Sequence, residues 1–416
     1  MKPLPTRGIP APQVFDELES LRAGDVDWRN GKVFSLAYYA GPQAIAVAED
    51  AYRRFSGENA LSTDAFPSLR IMQQDVLSMV GPWLGAHKDS AGFMTSGGTE
   101  SILMVVKAAR DQFAQSTGVT TPNIVLPTSA HAAFEKACHY FGVESRRSGV
   151  GPDWRADVAA MERLIDDNTV MLVASAPQYP QGVIDNVTGI AALASQHGIN
   201  CHVDACMGGV TLAYLEKLGL PIPAWNLLVP GVTSISVDLH KYGYTSKGAS
   251  VVMYSSKSLR AHQGFFTDNW LGGMYASSGM LGTKSGGSIA SAWAVLRHLG
   301  DDGYTALVQQ TRNATVQLAD HIVAHPHLVL RAYPDSTLIS FGAADPSMLN
   351  VFAVADALRI RGWYVDRQTP PDSLHCTVNA IHHDKIDAFV VDLDASIESV
   401  MSTRLSGDVG SYGNLE

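Results

Sequence analysis

From Asn123 to Tyr254 the chain alternates short β-branched runs with stretches of helical spacing, and this constrains its fold more than any other feature. Strands are predicted at Asn123–Leu126, Val170–Ala174, Asn200–Asp204, Ser234–Val237 and Ser250–Tyr254, with helices at His131–Phe141 and Ile190–His197. Such alternation over so long a stretch calls for an α/β architecture, a mostly parallel sheet covered by helices. Ligands of such sheets bind at the carboxyl ends of the strands. Three chemically marked residues fall there: Asp204 closes a strand, His131 opens a helix after a strand, and Lys241 follows another strand.

The stretch around Lys241, TSISVDLHKYGYTSKGASVVMY, places a lysine at the mouth of an apolar strand. An ammonium loses water there, which is costly for packing but makes the amine usable as a nucleophile. The same pattern suits a lysine that snorkels from a strand-to-loop turn, and by itself the stretch leaves both readings open. Earlier in the chain, Gly97-Gly98-Thr99 stands at the start of a strong helix pattern, ILMVVKAARDQF. Exposed backbone N–H groups and the helix dipole would cradle a phosphate there, although a plain N-cap with flexible glycines has the same composition.

With 416 residues, 46% of them hydrophobic, the chain can bury a large core and a second, smaller one. A formal charge of −10 without clustered Lys and Arg argues against a nucleic-acid surface or an anionic membrane. No apolar run approaches the roughly 20 residues of a membrane span, and the start MKPLPTRGIPAP has no signal-peptide core, so a cytoplasmic location is expected. Cys138, Cys201, Cys206 and Cys376 have no metal-ligand or disulfide spacing and read as buried thiols. His375, His382 and His383 lack a carboxylate at ligand spacing, so surface positions are expected and no metal.

Three parts are expected: a segment 1–65 for dimer or active-site contacts, a large domain 66–300, and a small α+β domain 301–416. A long helical stretch, Ser288–Leu299 and then Tyr304–His325, should link the last two. The small domain should carry strands at Leu328–Ala332, Thr337–Gly342, Trp363–Asp366 and Leu374–Asn379, and the polar tail SGDVGSYGNLE is expected to be loose.

Taken together, a phosphate cradle, a helix-start histidine, a strand-end aspartate and a strand-end lysine meet the needs of pyridoxal 5′-phosphate. That cofactor requires an amine, an anion site, a carboxylate for the ring nitrogen and a flat group for the ring face. The segments TSGGTESILM, SAHAAFEKA, SAPQYPQGVID, HVDACMGG, FFTDNWLGGMYAS and RGWYVDRQTPPDSLHC, with the Lys241 stretch, resemble the sphingosine-1-phosphate lyase family. This family lies in the group II decarboxylase branch of the fold-type I (aspartate-aminotransferase-like) pyridoxal-phosphate enzymes, and the likeness runs from about Gly31 to about Ser399.

The resemblance implies an obligate homodimer with shared active sites, cleaving a phosphorylated 2-amino-3-hydroxy compound by retro-aldol chemistry into an aldehyde and phosphoethanolamine. It implies that Lys241 is the Schiff-base lysine, Asp204 the partner of the ring nitrogen and His131 the group stacked on the ring. Gly97, Gly98, Thr99 and His240 would hold the cofactor phosphate, with Gly286-Gly287 of the other subunit. Tyr38 and Lys247 match positions near the substrate phosphate and reacting hydroxyl; Asn59 and Tyr179 match pocket positions. Plain packing remains open for both tyrosines. Proton handling by Lys241 or Lys247 would call for lowered pKa values in each.

Several departures fall on the substrate side. The family's His-Pro after Asn59 is Ser62-Thr63, its Gly-Ser-Arg-Pro-Gly is Gly282-Thr283-Lys284-Ser285-Gly286, Leu239 replaces a threonine, and Gln181 replaces a histidine. Lys284 and Lys247 would still supply charge to an anion. Rival expectations are an amino-acid decarboxylase, and a lyase or transaminase acting on a smaller soluble substrate. A non-enzymatic homologue would be expected to lose Lys241 or Asp204.

Overall fold

The alternating runs become a seven-stranded sheet in the computed structural model, which describes residues 3–408; residues 409–416, the end of the polar tail, lie outside the described residues. The strands are β1 (Ala91–Thr95), β2 (Asn123–Pro127), β3 (Glu144–Ser148), β4 (Thr169–Ser175), β5 (Asn200–Asp204), β6 (Ser234–Val237) and β7 (Ser250–Tyr254), in the order β1-β7-β6-β5-β4-β2-β3. Every residue of β2, β4 and β5 is buried, as central strands covered on both faces require. The pairs from β3 to β6 are parallel, whereas β7 runs antiparallel to both β6 and β1.

Two of these strands go beyond the periodicity reading. β1 has the sequence AGFMT, whose glycine hides it, and β3 is ESRRS, an edge strand with charged side chains. Arg146 and Arg147 of β3 reach Asp166 at 2.7 Å and Glu135 at 2.5 Å.

The reversal of β7 positions the site. Because β7 begins where β6 ends, the connection 238–249, with both lysines, lies over the carboxyl edge of the sheet. Register then aligns neighbours along that edge: Ser175 beside Asp204, Asp204 beside Ser236, and Thr95 beside Ser250.

The glycine-rich segment after β7 forms a hairpin of β8 (Phe265–Thr267) and β9 (Tyr275–Ser277) with exposed Phe266, Trp270 and Leu271. The helix Gly287–Ala324 follows, broken at Gly300 by a φ of 59°, between the two predicted helical stretches. It leads to an antiparallel sheet of β10 (Leu328–Leu330), β11 (Leu338–Ala343), β12 (Asp366–Gln368) and β13 (Ser373–Thr377). The helices Val351–Ile360 and Ile386–Thr403 pack on it around Phe341, Leu374 and Phe389.

The N-terminal segment is pinned to this second core. Phe34 is fully buried, stacks on His382 at 4.1 Å and lies 4.5 Å from Phe389. Burying one such ring contributes roughly 1.5–3 kcal/mol. His382 is therefore not a surface residue: it accepts from Asn379 N–H and its other ring nitrogen reaches the Val33 carbonyl at 3.0 Å. His375 is also fully buried, against the Tyr179 carbonyl, because its strand β13 is internal to the sheet. His383 points outward, as adjacent residues must. The four cysteines are free and buried. Among the described residues no helix is long and apolar enough to cross a membrane.

Candidate active site

A cavity of 390 Å³ opens at the carboxyl edge of the large sheet. Eight of the expected residues line it: Gly97, Gly98 and Thr99 from the end of β1 and the start of the helix Gly98–Ser116, His131 from the turn after β2, Tyr179 after β4, Asp204 at the end of β5, and His240 and Lys241 after β6.

Lys241 Nζ lies 2.9 Å from Asp238 Oδ2. Asp238 is buried, and its other oxygen accepts from Ser250 Oγ at 2.6 Å, a contact made possible by the reversed β7. A hydroxyl chain continues from Ser250 to Ser101 at 3.2 Å and to Thr95 at 2.6 Å, beneath the start of the helix Gly98–Ser116. Burial pushes the Lys241 pKa down, but the Asp238 carboxylate more than reverses this and raises it. The expectation of a lowered Lys241 pKa is thus corrected, because the nearest charge is an anion at ion-pair distance. Burial pushes Asp238 up, and Lys241 with His240 brings it below the usual carboxylate range.

Lys247 behaves oppositely. Although its side chain reaches solvent in the single chain, protein atoms crowd its ammonium and lower its pKa to about 8, aided by the positive charge of Lys241. Its Nζ lies 5.1 Å from the centre of the Tyr38 ring. Tyr38 reaches the same place from the N-terminal segment: its ring packs 5.1 Å from Tyr242, and its hydroxyl lies 3.8 Å from Sδ of Met207, which lines the cavity. Leu36 takes a φ of 64° just before it, a left-handed bend uncommon for leucine that turns the chain after the Phe34 anchor.

Asp204 Oδ1 accepts from the Cys206 N–H at 3.1 Å and from Ser236 Oγ at 3.4 Å. Behind it, His202 touches Ser234 and Ser236, with its pKa lowered to about 4 by burial against the opposing pull of Asp204. Burial likewise lowers His131, whose Nδ1 accepts from the Ala133 N–H at 3.0 Å. Tyr179 gives its hydroxyl to Asp366 at 2.9 Å.

The remaining expected residues lie elsewhere in the single chain. Lys284 lines a second cavity of 380 Å³ with Ala60, Arg70, Phe93 and Arg260, and none of its lining residues is shared with the first. Its ammonium lies 4.7 Å from the Phe93 ring centre, with its pKa lowered by burial against the opposing charge of Glu100. Asn59 bridges to Ser285 beside this cavity. Gly286 and Gly287 pack on the backbone of Phe55 and Tyr52, where a Cβ would meet carbonyl oxygens at 3.1 and 2.8 Å. Sequence reasoning missed Asp238 and Glu100 as members of the first cavity; a carboxylate three residues before the lysine, at the same strand mouth, was the available signal for Asp238.

Residues 4–344 match the pyridoxal-dependent decarboxylase conserved domain. A curated relative, sphingosine-1-phosphate lyase 1 of Rattus norvegicus, is 39% identical over 99% of this chain and 72% of its own length. The chain belongs to the sphingosine-1-phosphate lyase family. The solved sphingosine-1-phosphate lyase of Burkholderia pseudomallei superimposes with a TM-score of 0.92 at 34% identity, covering 97% of this chain and 94% of the other. A probable L-tyrosine/L-aspartate decarboxylase of Methanothrix thermoacetophila is 31% identical over 98% of this chain and all of its own.

This member of the family is a pyridoxal-phosphate-dependent lyase, and its residues fit that cofactor on two observations. His240 Nδ1 is buried without a partner among the described residues, and a Cβ added at Gly97 would stand 3.4 Å from His240 Cε1. A polar ring edge thus meets a helix start kept open by glycine, as an anion requires. A Cβ at Gly98 would meet Asp238 Oδ2 at 2.9 Å and Cys206 Sγ at 2.7 Å, so glycine there lets the helix approach the lysine's counter-ion.

Proposed function

We propose that the chain cleaves the Cα–Cβ bond of a phosphorylated, long-chain 2-amino-3-hydroxy base by a retro-aldol reaction, releasing an aldehyde and phosphoethanolamine. When bound, pyridoxal 5′-phosphate supplies a carbonyl for an amine and a protonated ring that accepts the electron pair of the breaking bond. Lys241 offers the cofactor an amine, Asp204 keeps the ring nitrogen protonated, and His131 presents a flat face. Gly97, Gly98, Thr99 and His240 hold the phosphate. Lys247 accepts the proton of the C3 hydroxyl, which Tyr38 orients, and the ammonium of Lys247 or Lys241 returns a proton to Cα.

The observation that carries this reading is the Lys247–Tyr38 pair. Retro-aldol cleavage needs a base for a hydroxyl, and a lysine with a pKa of about 8 is suited to it; loss of a carboxylate from Cα would leave that base idle. The names of the relatives support the same substrate class. Room for an apolar chain is offered by a further cavity of 630 Å³ that shares His131 and Tyr179 with the first and is lined by Trp154, Pro180, Pro370 and Pro371.

The working form in this proposal is a cytoplasmic homodimer with shared active sites. Support for the dimer comes from Asn59, Lys284, Gly286 and Gly287, which do not line the Lys241 cavity of their own chain, and from the exposed apolar hairpin β8–β9. Free cysteines accord with a reducing compartment. The proposed units remain 1–65, 66–300 and 301–416, the last boundary supported by the break at Gly300. The test is a product assay of the loaded enzyme on a phosphorylated long-chain base, its unphosphorylated form, and aromatic and acidic amino acids. Aldehyde from the phosphorylated base is expected; carbon dioxide from an amino acid in its place would overturn the proposal.

A further inference from the structure

Asp238 sits between two candidate cations. It holds the Lys241 ammonium at 2.9 Å and has His240 Nε2 at 3.8 Å, while His240 Nδ1 has no partner among the described residues. A fully buried carboxylate is costly without a counter-ion. Besides Lys241, the charge of Asp238 acts on His240, Lys247 and His131, and of these the His240 ring is the one beside the glycine at the start of the cradle. A neutral imidazole cannot serve both sides: with its proton on Nε2 toward Asp238, Nδ1 would turn a lone pair toward the phosphate. An imidazolium presents positive charge to Asp238 and donates from Nδ1 to the phosphate.

We propose that Asp238 is a positioning residue that biases His240 toward its protonated form, so that a phosphate entering the Gly97–Thr99 cradle draws one proton from solvent onto His240. This rests on assigning the cofactor phosphate to that cradle. Burial holds the His240 pKa below its ordinary value in the cofactor-free chain, and the neighbouring charges act on top of it. Asp238 favours the proton; Lys241, and Lys247, whose Nζ reaches the His240 carbonyl at 3.4 Å, oppose it. The backbone N–H of His240 is occupied by Ala249 O, which fixes the ring's position on the connection. The entering phosphate brings two negative charges above its second pKa of about 6, outweighing the lysines.

Pyridoxamine 5′-phosphate is the probe, because without a carbonyl it cannot bond to Lys241 and reports the anion site alone. Its affinity for the cofactor-free protein is measured from pH 6.5 to 9 by fluorescence or calorimetry, with pyridoxamine as the phosphate-free control. Expected is a wild-type affinity that falls as pH rises through the bound-state range of His240, by up to about tenfold per pH unit, the slope for one proton. His240→Gln and Asp238→Asn should each weaken binding by about tenfold or more at pH 7, the first by losing a charge-assisted contact and the second by losing the charge that favours it, and each should lower that slope by one proton.

Calorimetry in buffers of different ionisation enthalpy should show one proton more taken up by the wild type than by His240→Gln. If Asp238→Asn fails to fold, the proton count of the wild type against His240→Gln still decides. Equal slopes and equal proton counts in wild type and His240→Gln would overturn the inference while leaving the cofactor site in place. Wild-type protein that binds pyridoxamine as tightly as its phosphate would instead remove the site assignment beneath it.

Discussion

The cavity around Lys241 and the cavity around Lys284 differ in how complete one chain makes them. In the first, eight expected residues from five stretches of chain converge, and the key charge, Asp238, is held by Ser250, Lys241 and the hydroxyl chain below it. In the second, a buried-side lysine rests on an aromatic ring, Asn59 and Ser285 meet through backbone, and Thr63 and Arg70 stand in the wall. The cofactor's requirements do not vary with substrate, so they are met inside one fold. In the proposed reading, recognition of the substrate's anion falls to the second region, which a single chain keeps apart from the first.

The largest effect that could break this contrast is at Lys241. Lys241→Ala should remove the visible absorbance of the protein-bound cofactor and reduce turnover to background; a variant that kept both would place the chemistry elsewhere. Asp204→Asn follows, with kcat down by about 10²- to 10³-fold at near-unchanged stability, the scale of a lost electrostatic contact in a buried site. Turnover that survives Asp204→Asn would mean that another group protonates the ring.

Much of the first region was legible beforehand. Strand ends in an α/β pattern pointed to Asp204 and Lys241, and a glycine pair before a helix pointed to the cradle, because these are local patterns with a mechanism. What escaped depended on the third dimension. Asp238 stands three residues before Lys241, but whether a buried lysine is driven neutral or held as an ammonium is decided by the distance of one carboxylate. β7 was seen as a strand but not as a reversed one, since direction leaves no trace in its apolar run. His382 reads as a surface residue until Phe34, nearly 350 positions away, stacks on it.

A third prediction separates the two lysines. Lys247 has its pKa lowered to about 8, so its neutral, proton-accepting form grows as pH rises through that value and is lost below it. The pH profile of kcat should therefore climb to a plateau above about 8, and Lys247→Met should remove that limb with a loss of about 10²-fold. An unchanged profile would assign the base to another group. Smallest is Lys284→Met, expected to raise KM for the phosphorylated substrate about tenfold while leaving the unphosphorylated one unaffected, the mark of a lost ion contact.

The central claim is that the Lys241 region runs a lyase on a phosphate-bearing base. The most direct measurement is kcat/KM of the loaded enzyme for a phosphorylated long-chain base against the same base without phosphate, followed by aldehyde release. A preference of about tenfold or more for the phosphorylated form is predicted, from one retained ammonium contact to the phosphate. Equal values for the two, or aldehyde from neither, would contradict the account.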